Sequence, residues 1–237
     1  MAGMTVDAAV AELAALEDPK QRAANEKRGD DHGINLSRMR ALAKRIGTDQ
    51  ALATALWATG DTAARLLAIL ICRPRDFTAD ELDALLRDTR PPKVNDWFVN
   101  YVVKKSPLTE ELRTRWFDDP DPTVAAAAWS LTTVRVAKDP DGLDLDALLD
   151  RIERDLADAP PRLQWAMNET LATIGIFHRE HRARAIDIGE RLRVLADYPT
   201  APGCTSPFAP LWIAEIVRRR GLTLWRGVAG PGSRSGG

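Results

Sequence analysis

The chain has 237 residues, of which 45% are hydrophobic, and its 33 lysines and arginines nearly balance its 34 aspartates and glutamates. This length can bury the core of one domain, and a net charge of −1 excludes a surface that is basic all over. Any face that binds nucleic acid must therefore be local.

The cysteine content and the N-terminus bear on the compartment. Cys72 and Cys204 are too few for a disulfide framework or a cysteine zinc site, and they favour a reducing environment. The first ten residues lack the basic flank and long apolar run of a signal peptide, and no apolar stretch approaches the roughly 20 residues that span a bilayer. The sequence therefore predicts a cytoplasmic protein without a membrane segment.

Apolar residues recur at helical spacing along almost the whole chain, starting with Val6, Val10 and Leu13. No segment alternates as a half-buried strand does. In chain order the pattern predicts helices at 4–17, 19–28, 35–46, 49–58, 61–72, 79–87, 94–105, 107–117, 122–137, 144–157, 161–177, 181–196 and 207–220.

Several of these helices have clear start signals. A capping side chain precedes a proline suited to the first helical position at Asp18-Pro19, Ser106-Pro107, Asp121-Pro122 and Ser206-Pro207. Thr78 and Glu81 have the spacing of a capping box, in which each residue satisfies a backbone amide of the other.

Short helices joined by brief turns cannot each bury an apolar stripe alone. We therefore predict an all-α fold in which antiparallel helix pairs stack into a HEAT-like α-solenoid with a concave face. No strict repeat motif is visible, so a compact helical bundle remains an alternative on periodicity alone. Residues 1–225 are expected to form a single helical-repeat domain, and the glycine-rich residues 226–237 a flexible tail.

Several stretches carry a resemblance to a known family. They are LSRMRALAKRIG at 36–47, LWATGDTAARLLAIL at 56–70, VNDWFVNYVVKKSP at 94–107, WAMN at 165–168 and IG at 174–175. Over roughly residues 5 to 220 the chain resembles the DNA alkylation repair family. The resemblance implies a HEAT-like solenoid whose concave face holds duplex DNA, and the active members are glycosylases that remove N3- and N7-alkylated purines.

The resemblance implies a catalytic role for Asp96, which occupies the family's aspartate position. Active members attack a cationic lesion within the duplex, and a fixed carboxylate stabilises the positive charge that develops on the sugar. The family's other active-site positions, a tryptophan, an arginine and a second tryptophan, are taken here by Pro92, Ala125 or Ala126, and Ile176. From the residues alone, Asp96 also fits a carboxylate in the first turn of a helix, where the helix dipole favours it.

Basic residues and tryptophans supply candidate DNA contacts. The basic candidates are Arg38, Arg40, Lys44, Arg45, Lys93, Lys104, Lys105 and Arg179, with Arg182 and Arg184 as possible extensions of the same track. Such cations would neutralise DNA phosphates and release the counterions bound to them. The alternative interpretation is that these residues form an ordinary solvated helix surface. Trp97, Trp129 and Trp165 are candidates for packing against deoxyribose, and burial in the core is the alternative for each of them.

These features predict duplex DNA, alkylated or distorted, as the partner of a monomer that needs no organic cofactor and no metal. His178 and His181 could share a helix face, but no third ligand stands at a suitable spacing. Three functions remain open: an excising glycosylase, a DNA-structure binder that does not excise, and a protein-interaction scaffold. A contiguous positive surface that contains Asp96 would favour DNA over a protein partner.

Overall fold

The computed structural model describes residues 3–89 and 91–221. These residues form thirteen α-helices and no β-strand, and one isolated bridge pairs Glu17 with Ile34. The prediction of an all-α fold is confirmed. Within the described ranges, no helix combines the length and the apolar content needed to cross a bilayer. The predicted tail at 226–237 lies outside the described residues.

A helix is found at each of the thirteen predicted places. The helices are α1 (Val6–Ala15), α2 (Pro19–Glu26), α3 (Leu36–Ile46), α4 (Gln50–Ala58), α5 (Thr62–Ile71), α6 (Ala79–Arg87), α7 (Pro92–Trp97), α8 (Thr109–Trp116), α9 (Pro122–Lys138), α10 (Leu145–Asp155), α11 (Pro161–Phe177), α12 (Arg182–Leu192) and α13 (Ala209–Arg219). The sequence did not predict the 3₁₀ turn Pro74–Asp76 that follows α5.

The predicted helix at 94–105 differs from the observed one in its geometry. It begins earlier, because Pro92 takes the first helical position of α7. After Trp97 the backbone continues as a π-helical turn, Phe98–Val102, and then as a 3₁₀ turn, Val103–Lys105. Single π-helical turns are rare and are frequently found at functional sites.

Side-chain caps account for most of the helix starts. Asp18 Oδ1 accepts from the Lys20 amide and Asp121 Oδ1 from the Thr123 amide, each at 2.8 Å. The predicted capping box is also present, because the Thr78 hydroxyl accepts from the Glu81 amide while the Glu81 carboxylate accepts from the Thr78 amide. These three predicted starts are confirmed.

Two predicted starts are too early by two residues. Ser106 Oγ accepts from the Leu108 amide at 3.1 Å and Ser206 Oγ from the Phe208 amide at 3.2 Å. In both places the serine closes a turn that precedes the helix, so α8 begins at Thr109 and α13 at Ala209. The Ser-Pro pair therefore marks the turn and not the first helical residue.

The chain divides into two compact units, Met1–Leu131 and Thr132–Gly237, and the boundary falls inside α9. In the first unit, α1, α3, α4 and α7 contact α5, whose residues are buried with the single exception of Leu70. In the second unit, α10, α12 and α13 contact α11. That residues 1–225 behave as one domain remains a prediction.

The second unit depends on close helix contacts at small residues. Gly189 of α12 is buried against α13, where an added Cβ would lie 2.6 and 2.7 Å from the Cδ and Cγ atoms of Pro210. Arg182 is also buried, and its guanidinium donates to the carbonyls of Gly175 and Ile176 at the end of α11, at 2.7 and 3.1 Å. Arg182 is thus a structural residue, which corrects the expectation that it extends a DNA-binding track.

The contact at Gly189 generates a stability prediction. Replacing Gly189 with alanine should lower the free energy of unfolding, because a rigid proline ring cannot turn away from the new methyl group. Overpacking costs about 1–3 kcal/mol and the better helix propensity of alanine offsets about 1 kcal/mol of that cost, so we expect a net loss of up to about 2 kcal/mol in urea unfolding. The matched control is Pro210→Ala combined with Gly189→Ala. If the losses of stability measured for Gly189→Ala and for Pro210→Ala simply add in the double variant, the contact with Pro210 is not the cause of the destabilisation by Gly189→Ala.

Candidate nucleic-acid interface

The exposed side of α7 carries Asp96, the predicted catalytic residue. Asn100 Nδ2 donates to the Asp96 carbonyl at 2.7 Å, and Lys104 Nζ donates to Asn100 Oδ1 at 2.9 Å. Asp96 and Asn100 are exposed, so these polar groups form one line along the solvent side of the helix and the π-helical turn. Because α7 begins at Pro92, Asp96 lies beyond its first turn, and the helix dipole does not explain the carboxylate.

An aromatic pair joins α7 and its π-helical turn to α3. The rings of Trp97 and Tyr101 pack edge to face with centroids 5.3 Å apart. The Arg40 guanidinium lies 4.7 Å from the Trp97 ring centroid, and Lys105 Nζ lies 5.3 Å from that of Tyr101. Arg40 also donates to the Tyr101 hydroxyl at 3.4 Å. Cation–π contacts hold both cations in place and leave their positive charge uncompensated.

Further cations adjoin this pair. Arg40 and Lys44 line a shallow depression together with Thr48, and Thr48 also lines a neighbouring cleft of about 460 Å³ that contains Arg73 and Arg75. Lys105 lies near this cleft, because the turn Val103–Lys105 contacts the turn Pro74–Asp76. We call this surface the basic patch; it consists of Arg40, Lys44, Arg73, Arg75 and Lys105.

Most cations of the basic patch lack an ion pair within the described part of the chain, whereas six other cations of the first unit have one. The cations of that unit that pair with carboxylates elsewhere are Arg22, Arg45, Arg65, Arg87, Arg113 and Arg115. Four cations of the patch form no ion pair with any described residue: Arg40, Lys44, Arg75 and Lys105. Arg73 meets Asp76 only at 4.0 Å. The patch is therefore a local concentration of uncompensated positive charge on a chain that is nearly neutral overall.

The structure separates the predicted basic contacts into groups. Arg40, Lys44 and Lys105 come together in the basic patch, and Lys104 lies beside them on the line that starts at Asp96. Arg38 is exposed on α3, and Lys93 is half-buried at the start of α7.

Arg45 of the first unit does not join that group. Arg45 forms an ion pair with Glu12 of α1, and Arg179 is exposed in the second unit, between α11 and α12. Arg184 of the second unit pairs with Asp146 and Asp150.

The tryptophans have three different environments. Trp129 is 1% exposed and packs on Phe117 with ring centroids 4.9 Å apart, which corrects the expectation that it contacts DNA. Trp97 is 6% exposed and offers a ligand little surface of its own, although it positions Arg40. Trp165, for which core packing was an alternative, is instead 38% exposed and meets Tyr198 edge to face at 5.2 Å.

Sequence reasoning missed Arg73 and Arg75. They lie in the turn after α5, and only the packing of that turn against the 3₁₀ turn Val103–Lys105 brings them to the predicted cations. In the sequence the two arginines flank a proline and are followed by Asp76. In a chain with 28% charged residues, this pattern is a weak indication of a DNA-binding site.

The residues at the positions that depart from the family's active pattern are apolar and are buried or half-buried. Ala125, Ala126 and Ile176 are each 5% exposed, and Pro92 is half-buried as the first residue of α7. In the second unit, His178 Nε2 contacts the Val136 carbonyl at 2.9 Å. No group of three or more potential metal ligands is found among residues 3–89 and 91–221.

Comparisons with known proteins identify the family and the fold. The family model described as "DNA alkylation repair enzyme" matches residues 9–211. A solved structure from "a new family of proteins related to the HEAT-like repeat DNA glycosylases with affinity for branched DNA structures" is similar, with a TM-score of 0.75 and 20% sequence identity over 92% of this chain and 96% of that one. No curated protein matches the sequence. The fold is a HEAT-like helical fold, and the chain belongs to the DNA alkylation repair family.

Proposed function

We propose that the chain binds duplex DNA through the basic patch of the first unit. The observation that carries this proposal is the set of uncompensated cations, drawn from α3, from the turn after α5 and from the 3₁₀ turn Val103–Lys105. Phosphate contacts supply most of the affinity of such surfaces, and arginines and lysines are their usual donors. The related structural family is described as having affinity for branched DNA, which supports DNA as the class of ligand.

A protein-interaction scaffold fits the basic patch less well. Protein interfaces are enriched in arginine, but their centres are apolar and depleted in charge, whereas the patch consists of arginine and lysine side chains around the exposed Thr48. A polyanion with evenly spaced charges matches this surface better.

The activity that we propose for the bound state is excision of N3- and N7-alkylated purines, with Asp96 as the electrostatic catalyst. Asp96 stands next to Trp97, which positions Arg40 of the patch. A carboxylate at the edge of an anion-binding surface repels phosphate, so it favours binding only where the ligand itself carries positive charge. A cationic alkylpurine and the sugar from which it departs both meet that condition.

The proposed reaction needs no redox partner. As the bond between C1′ and the purine nitrogen breaks, its electron pair goes to the cationic base, which leaves as a neutral molecule. Water then forms the new C1′–O bond and releases a proton. Asp96 stabilises the positive charge on the sugar between these events, and this charge is larger in the transition state than in the bound substrate.

Binding without excision is the second candidate function. Pro92, Ala125, Ala126 and Ile176 supply none of the tryptophan or arginine side chains that accompany the aspartate in active members, and three of these four residues are buried. A protein of this kind would recognise DNA structure and leave the glycosidic bond intact.

The binding proposal can be tested with Lys44→Ala combined with Arg75→Ala. Each phosphate contact contributes about 0.9 to the slope of log affinity against log salt concentration, so loss of two contacts should reduce that slope by about 2 for a linear duplex. The control is Arg45→Ala, on the same helix as Lys44, because Arg45 is already paired with Glu12. An unchanged slope in the double variant, or an equal change in the control, would contradict the role of the patch.

The excision proposal can be tested with Asp96→Asn. Base release from duplex DNA that contains 7-methylguanine should fall by about 10²-fold or more while duplex affinity is retained, because the amide keeps the shape of the side chain and removes its charge. Asp7→Asn, which removes an exposed carboxylate on α1, is the control. Base release by Asp96→Asn at the wild-type rate would exclude a catalytic role for Asp96. If the wild type binds the duplex but releases no base, DNA binding without excision is the function that remains.

A further inference from the structure

A pocket of about 490 Å³ opens in the first unit between α4, α5, α6 and the π-helical turn. Its apolar lining comes mainly from Trp57, Ile69, Phe77, Leu85, Phe98 and Val102. We call it the aromatic pocket. Its volume and its mostly apolar lining, with a few polar side chains, are typical of sites that bind small organic groups.

The indole of Trp57 is fixed within this pocket. Its Nε1 donates to Asp88 Oδ2 at 3.2 Å, and the Arg65 guanidinium lies 5.1 Å from the ring centroid. The ring of Phe98 packs against it with centroids 5.4 Å apart. A ring held on several sides loses little conformational freedom when a flat ligand stacks on it, so the pocket is preorganised for such a ligand.

The π-helical turn forms part of the pocket wall. Phe98 and Val102, its first and last residues, both line the pocket and are each 1% exposed. The π-helical turn therefore connects two surfaces, since Tyr101 of the same turn contacts two cations of the basic patch.

The aromatic pocket and the cleft of the basic patch are neighbours. Cys72 and Asp76 line both of them. Gln50 also lines the pocket, and its Oε1 accepts from the Arg73 backbone amide at 2.8 Å, which anchors the turn that carries both arginines. Burial raises the pKa of the Cys72 thiol to about 11, so at neutral pH this side chain is an uncharged part of the shared wall.

We infer that the aromatic pocket binds the base of an unpaired nucleotide whose phosphate lies on Arg73 and Arg75. This inference rests on the proposed DNA binding and adds to it the kind of DNA that is preferred. A flat aromatic base fits an apolar wall with a fixed indole, and the adjoining cations suit the phosphate of the same nucleotide. A base inside a regular duplex is stacked and paired, so the ligand is a nucleotide at a gap, a bulge or a branch point.

Two carboxylates at the pocket specify the base further. Asp76 and Glu81 both line it, and hydrogen bonds from Thr78 hold the pKa of Glu81 below its usual value, so that it remains ionised. Carboxylates accept hydrogen bonds from amino groups, which adenine, cytosine and guanine carry and thymine lacks. We therefore expect an adenine to bind more tightly than a thymine at the unpaired position.

The test compares two DNA ligands by fluorescence anisotropy: a linear duplex, and the same duplex with one unpaired adenine. Stacking of one base on an aromatic side chain is worth about 1 kcal/mol or more, so the wild type should prefer the unpaired adenine by about fivefold or more. Ala84→Trp should abolish that preference by filling the pocket, because Ala84 lines it from an exposed position on α6. Ala14→Trp, at an exposed position on α1 outside the pocket, is the matched control.

A second measurement uses the wild type alone, so that it does not depend on the folding of a variant. 2-Aminopurine at the unpaired position should lose fluorescence on binding when it stacks on Trp57. Unquenched 2-aminopurine in a DNA-bound complex, or a preference that survives Ala84→Trp, would overturn the inference and leave duplex binding intact. Failure of the proposed function is distinguishable, because the linear duplex would then not bind to the wild type at all.

Discussion

The candidate interface depends on the burial of α5. This helix contacts α1, α3, α4 and α7, and even Arg65 on it is buried, with its charge met by the Asp88 carboxylate and backbone carbonyls. Because α5 is enclosed, its last residues are fixed against the start of α4, where the Asp49 amide donates to the Ile71 carbonyl at 3.0 Å. The turn that follows is itself held by Gln50, whose side chain accepts from the Arg73 amide, and it brings Arg73 and Arg75 to the cations of α3 and the 3₁₀ turn Val103–Lys105.

This arrangement explains how a nearly neutral chain can present a basic surface. Positive and negative side chains are present in almost equal number, but they are not evenly paired. On α6 and α8, Asp83 pairs with Arg87 while Asp80 pairs with Arg115, and Glu12 of α1 pairs with Arg45 of α3. The carboxylates of the first unit are thus mostly engaged away from the basic patch. A net charge near zero excludes a surface that is basic all over, but it does not exclude a local basic patch.

The helices themselves were predictable because each contains its own signals. Apolar spacing located all thirteen, and Asp18, Asp121 and the Thr78–Glu81 pair fixed three starts. The π-helical turn was not predictable, since Phe98–Val102 has the same apolar character that an ordinary helix would show. The burial of Trp129 and the gathering of Arg73 with Lys105 depend on contacts between elements distant in sequence, which periodicity does not report. Asp96, by contrast, was singled out by family resemblance and lies on an exposed line of polar groups, as a residue that faces a ligand must.

The uncompensated charge of the basic patch has a consequence for the protein in the absence of a ligand. The Arg40 guanidinium donates to the Tyr101 hydroxyl and Lys105 lies over the Tyr101 ring, so two positive charges are held beside one side chain and repel each other. The folded state therefore carries an electrostatic penalty that an anion relieves, and an anion that binds only this state stabilises it in proportion to its occupancy. Dissolved salt has opposite effects at this surface: it screens the repulsion between the cations and weakens their hold on a polyanion.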